Sequence, residues 1–168
     1  MKKIIVYALC AVMAVSLVGC ATTSDSNGKS EGEKQGGTQL ANPFVDCETL
    51  TDAAKLSGFE ITLPSAMPQG YSQDAIRAVK DGMLEIIYKN GDSAITIRKA
   101  KGSEDVSGNY TQYPETHTLE IDKVTVNTRG DKGLVSVASW TQGEFSFSAS
   151  FDAPQDKETV TELLGQIK

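Results

Sequence analysis

Leu84-Glu85-Ile86-Ile87-Tyr88-Lys89-Asn90-Gly91-Asp92-Ser93-Ala94-Ile95-Thr96-Ile97 decides the fold. Leu84, Ile86 and Tyr88 recur at every second position, as do Ile95 and Ile97, and that period belongs to half-buried strands. Asn90-Gly91 tolerates the positive φ angles of a tight hairpin, so the two strands run antiparallel. Upstream, Lys80-Asp81-Gly82 turns the chain from a strand carrying Ile76, and Phe59, Ile61 and Leu63 alternate with polar residues until Pro64 stops them. Downstream of a polar loop over about 101–114, the pattern resumes through Leu119 and Ile121, Val124 and Val126, Leu134 to Trp140, and Phe145, Phe147 and Phe151. Asp122-Lys123, Gly130 to Gly133 and Gln142-Gly143 mark the turns. Thr49 as N-cap and Gly58 as stop predict a short helix over about 49–57. Val160, Leu163, Leu164 and Ile167 place a stripe on a C-terminal helix that begins through Asp152 and Pro154. No connection is long enough for a crossover helix. The expectation is an α+β domain: an antiparallel meander of about seven strands with both helices packed on one face.

The whole chain has 168 residues, 16 basic and 22 acidic, for a net charge of −6. Met1-Lys2-Lys3 and the apolar run from Ile4 to Val18 have the profile of a secretory signal, too short for a spanning helix. Its removal takes two of the basic residues and none of the acidic ones, moving the net charge to −8. An acidic chain with scattered lysines is a poor match for nucleic acid, whose phosphates need a clustered basic face. The same balance argues against docking on anionic lipid by charge.

Leu17-Val18-Gly19-Cys20 resembles the lipobox of bacterial lipoproteins, in which Cys20 receives a diacylglycerol and becomes the first residue after cleavage. The resemblance implies a signal peptide over 1–19 and membrane attachment through acyl chains on Cys20, stable because two or three chains are buried. From Ala21 to Gln39 there is no aromatic or large aliphatic residue, so residues 20–41 read as a lipidated cysteine and flexible tether. The tether would reach about 25 Å. Ser26-Asn27-Gly28-Lys29 matches a Ser-x-x-Lys pattern by chance, with nothing to hold a nucleophile in place.

Leu63-Pro64, Met67-Pro68-Gln69-Gly70-Tyr71, and then Ile86, Tyr88, Gly91, Ile95, Ile97 and Arg98 resemble a domain of unknown function. That domain occurs in Gram-positive lipoproteins and in the extracytoplasmic parts of sporulation and anti-sigma-type membrane proteins. The likeness covers about residues 42–168 and implies an α+β fold with a curved sheet plugged by helices. It brings no catalytic residues. In physical terms the same stretch is a corner: Pro64 and Pro68 end pairing, Gly70 turns, and Tyr71 packs back onto the sheet.

Material for chemistry is scarce. His117 is the single histidine, which nearly excludes a histidine-rich metal site or a serine or cysteine triad with a histidine base, and it reads as a strand or rim residue without chemistry. Cys47 is the one thiol remaining in the mature chain once Cys20 carries lipid, and its place just before a helix start would lower its pKa. A small core residue is the plainer reading of it. Glu104-Asp105, Asp122, Asp131 and Glu144 read as solvated turn tips, and no calcium loop is present. No cofactor or metal is expected, and the chain reads as no enzyme. The face opposite the apolar one should gather Thr96, Arg98, Thr118, Glu120, Thr125, Asn127 and Arg129, with Ser146, Ser148 and Ser150, into a flat or concave polar platform for a ligand. Tyr110 and Tyr113 would offer stacking edges, and Trp140 falls in register with the core. The expectation is therefore a membrane-anchored extracytoplasmic lipoprotein, a binding or sensing module for an envelope protein or glycan. The alternative is a carrier holding an apolar ligand between sheet and helices.

Overall fold

The computed structural model describes residues 42–168. Cys20, the signal segment, the tether and the Ser26–Lys29 pattern lie outside the described residues. The chain forms β1 (Val45–Cys47), α1 (Leu50–Ser57), β2 (Ser72–Val79), β3 (Met83–Asn90), β4 (Ser93–Lys101), β5 (Glu115–Ile121), β6 (Val124–Asp131), β7 (Leu134–Gln142), β8 (Phe145–Gln155) and α2 (Lys157–Leu164). All pairings are antiparallel, in the order β1-β2-β3-β4-β8-β7-β6-β5.

That order corrects the expected simple meander of about seven strands. Among the described residues there are eight strands, in two meanders (β1–β4 and β5–β8) joined where β4 pairs with β8. Val45–Cys47 is a short edge strand with too few residues to show a period. Phe59 to Leu63 is not a strand; its alternating side chains pack on the core, but its backbone joins no ladder, and Thr62 and Lys168 each donate an N–H to the other's carbonyl. Because β4 lies mid-sheet and β5 at the far edge, residues 102–114 must cross four inter-strand spacings, roughly 19 Å. The polar loop is thus a strap across one face of the sheet.

The helices begin and end on their own chemistry. Thr49 Oγ1 accepts the Asp52 N–H at 3.1 Å, and Gly58 closes α1 in the left-handed region at φ 83°. At α2, Asp156 is the N-cap and accepts from Thr159 N–H, while Asp152 and Pro154 belong to β8. Ala53 of α1 and Val160, Leu163 and Leu164 of α2 join Ile76, Leu84, Ile86, Ile95, Ile97, Trp140, Phe147 and Phe151 in one buried cluster. Trp140 stacks on Phe147 with ring centroids 5.2 Å apart. The corner holds as well: Tyr71 N–H donates to Pro68 O, and Gly70, at φ 88°, sits where a Cβ would come within 2.6 Å of Asn90.

One charged residue is buried on the apolar face. Lys99 is 8% exposed, its Nζ donates to Glu60 O at 2.7 Å, and it lies 4.6 Å from the Phe145 ring centroid and 5.1 Å from that of Phe147. Burial pushes its pKa below the ordinary lysine value.

Candidate functional site

Register places one residue from every strand in a single row on the face opposite this core. Asp46, Arg77, Glu85, Arg98, Ser148, Ser139, Asn127 and Thr118 follow one another as Cα partners from edge to edge, and every member is polar. The same alternation puts Thr96, Glu120, Thr125 and Arg129 on this face, so all seven expected platform residues share one side of the sheet. They do not form one open platform, because the strap divides them.

Beneath the strap is an ion cluster. Glu85, 1% exposed, accepts a hydrogen bond from Arg98 Nε on Oε2 at 2.7 Å; Arg98 Nη2 forms an ion pair with the same oxygen at 2.6 Å, and Arg77 Nη2 lies 2.6 Å from Oε1. That last contact is an ion pair without hydrogen-bond alignment, since Oε1 has no hydrogen-bond partner. Both guanidinium groups lie over the Phe44 ring, at 5.5 and 5.9 Å. Arg98 Nη1 also donates to Val106 O and Ser107 O in the strap, at 3.1 and 2.6 Å. Arg129 Nη2 donates to Asp105 Oδ2 and Ser107 Oγ, and Ser146 Oγ to Gly102 O. Gly108 passes so near Arg98 that a Cβ would lie 2.5 Å from Nη1. Arg98 and Arg129 are therefore occupied in fastening the strap and are not free ligand donors.

Beside the strap a trough of about 330 Å³ remains open. Ser103, Glu104 and Asp105 of the strap line it on one side, and Thr125, Asn127, Ser139 and Thr141 of β6 and β7 on the other; Trp140 and Phe147, whose side chains alternate to the core face, border it. Thr125 Oγ1 donates to Glu120 Oε1 at 2.8 Å. Thr118 neighbours Asn127, while Thr96 pairs with Ile87 and Ser150 away from the trough. Ser139, Thr141, Ser103 and the role of Glu104-Asp105 escape the sequence reading. Ser139 and Thr141 alternate with Ala138 and Trp140 and were legible, but the fold-back of the strap carries no local signal.

The other candidates are dispersed. Asp122 pairs with Lys168, Asp131 with Lys132, and Glu144 receives the Gly102 N–H on its carbonyl at the β7–β8 turn. His117 is exposed on β5, its Nε2 3.5 Å from Glu115 Oε2. Cys47 is half-buried on β1, and burial, then Asp52 and Asp46, raise its thiol pKa, the reverse of the helix-start expectation. Tyr110 stands 93% exposed on the strap, and Tyr113 Oη accepts from Asn109. Between β5–β7 and α2 the free space is about 10 Å³, about enough for one water. Among the described residues, no group of three or more His, Cys, Asp or Glu side chains could hold a metal ion, and no helix is long and apolar enough to cross a membrane. Comparison with family models, with curated proteins and with solved structures finds no match for this chain.

Proposed function

We propose that this protein is a membrane-anchored extracytoplasmic lipoprotein whose single α+β domain is a non-catalytic binding module. The observation that carries the reading is the trough on the strapped face, with its floor of Thr125, Asn127, Ser139 and Thr141. Hydroxyl and amide groups on a rigid sheet suit a hydroxyl-rich envelope glycan, because strands hold donors and acceptors at fixed spacing. In this reading both helices cover the apolar face, which leaves the polar face to meet the ligand. Leu17-Val18-Gly19-Cys20 supports the anchor, and the polar stretch to residue 41 supports a leash. The carrier reading requires a void between sheet and helices, and the space of about 10 Å³ between α2 and β5–β7 gives it no support at that helix.

Two measurements test the proposal. In cells fed labelled palmitate, the wild type incorporates lipid and sediments with membranes, whereas Cys20→Ala does neither; retention of the variant on membranes after cleavage overturns the anchor. Purified envelope polysaccharide retains the wild type and loses Asn127→Leu, and equal retention of both overturns the trough as the binding site.

A further inference from the structure

The charges around the trough are of one sign apart from a single committed arginine. Asp105 is neutralised by Arg129 at 2.9 Å, whereas Glu104 is exposed and has no ion pair or hydrogen bond among the described residues. Glu120 adds a second carboxylate behind Thr125. No lysine, arginine or histidine lines the trough. A ligand carrying phosphate or carboxylate would meet like charge there without a donor to offset it, while a protonated amine would meet Glu104 directly. Next to the floor, Ser148 is 1% exposed and its Oγ is unpartnered; it occupies the same row and face as Ser139, its Cα partner. That hydroxyl does not itself line the trough, whose floor is Thr125, Asn127, Ser139 and Thr141.

From this we infer that the trough takes a glycan bearing a protonated amine, with Glu104 as the ammonium partner and Asn127, Ser139 and Thr141 bonding the sugar hydroxyls. The inference rests on the binding-module reading and narrows its ligand. A neutral sugar uses the same floor but leaves Glu104 unpaired. An anionic sugar is repelled. Amine recognition here is local, so it must depend on Glu104 more than on the general acidity of the chain.

Calorimetry on the full exported protein in neutral detergent tests this at about pH 6, where an amine near the α-amino range is protonated. Three probes are compared: a β-1,4-linked glucosamine tetramer, the same tetramer N-acetylated, and a glucose tetramer. The glucosamine tetramer should bind about tenfold more tightly than the other two, as a charge-assisted hydrogen bond adds roughly that factor. Glu104→Gln should abolish that preference, whereas Glu158→Gln on α2, which removes the same charge elsewhere, should leave it intact. Equal binding of all three tetramers overturns the amine inference and leaves the trough as a glycan site. A preference lost equally in both variants also overturns it, assigning the effect to overall charge. Absence of binding by any tetramer overturns the glycan reading itself.

Discussion

Replacing Arg98 by methionine isolates the fastening of the strap. The change keeps an unbranched side chain of similar length but removes one hydrogen bond and one ion-pair contact to the buried Glu85 carboxylate and two hydrogen bonds to the strap carbonyls. Breaking a buried ion pair from one side costs about 3–5 kcal/mol. Arg77 stays 2.6 Å from Oε1 and keeps Glu85 from being wholly orphaned, which argues for the lower end, about 3 kcal/mol. With roughly 2.1 cal/mol/K per residue over residues 42–168, the entropy of unfolding is about 0.27 kcal/mol/K, so Tm should fall by about 11 °C. Urea titration gives the free energy, and amide exchange should show residues 102–109 losing protection ahead of the strands. Adding Glu85→Gln removes the uncompensated anion, so the double variant should be more stable than the sum of the singles by about 1–2 kcal/mol. A loss below about 0.5 kcal/mol in Arg98→Met, or strict additivity with Glu85→Gln, would refute the assignment.

Gly130 lies at the β6–β7 bulge, where a Cβ would be 1.8 Å from Leu134 O; Gly130→Ala should cost about 3 kcal/mol in urea titration, because backbone must move. Lys99 has a pKa depressed by burial, so the unfolded chain binds its proton more readily. Stability relative to Lys99→Met should therefore rise as pH climbs from below the depressed value toward 10.5, and a flat difference would contradict the burial of the ammonium. Asp156 and Glu115 are depressed by backbone N–H donors, from Thr159 and Gly133 respectively. Their contribution is complete above the ordinary carboxylate range and is lost as pH falls through the depressed values. Acid titration of Asp156→Asn with Glu115→Gln should accordingly show a shallower loss of stability than the wild type.

The parts of the fold legible in the sequence are those fixed by neighbours. Asn90-Gly91 and Asp122-Lys123 specify their hairpins, the latter with φ of 52° and 68°, and Thr49 and Gly58 bound α1. Alternation also put all seven expected platform residues on the correct common face. The β4–β8 pairing was not legible, since Ile95 meets Phe151 across more than fifty intervening residues and no local pattern distinguishes it from a continued meander. The strap was missed with it, and so was the diversion of Arg98 and Arg129 from ligand to loop. Phe59 to Leu63 shows the converse: period two records a surface to bury, and a ladder forms only where a partner strand is present.

The β4–β8 seam also sets the timetable of assembly. From β2 to β4 and from β5 to β8 the chain can close hairpin by hairpin over short stretches, but the seam unites segments far apart in sequence and carries the larger loop-closure entropy. Arg98 and Ser148 meet only when it closes. Until then each half exposes a raw hydrogen-bonding border, Ser93–Lys101 on one and Phe145–Gln155 on the other, which could zip to the corresponding border of a neighbouring molecule. Exchange of halves between chains is accordingly the characteristic misassembly of this topology.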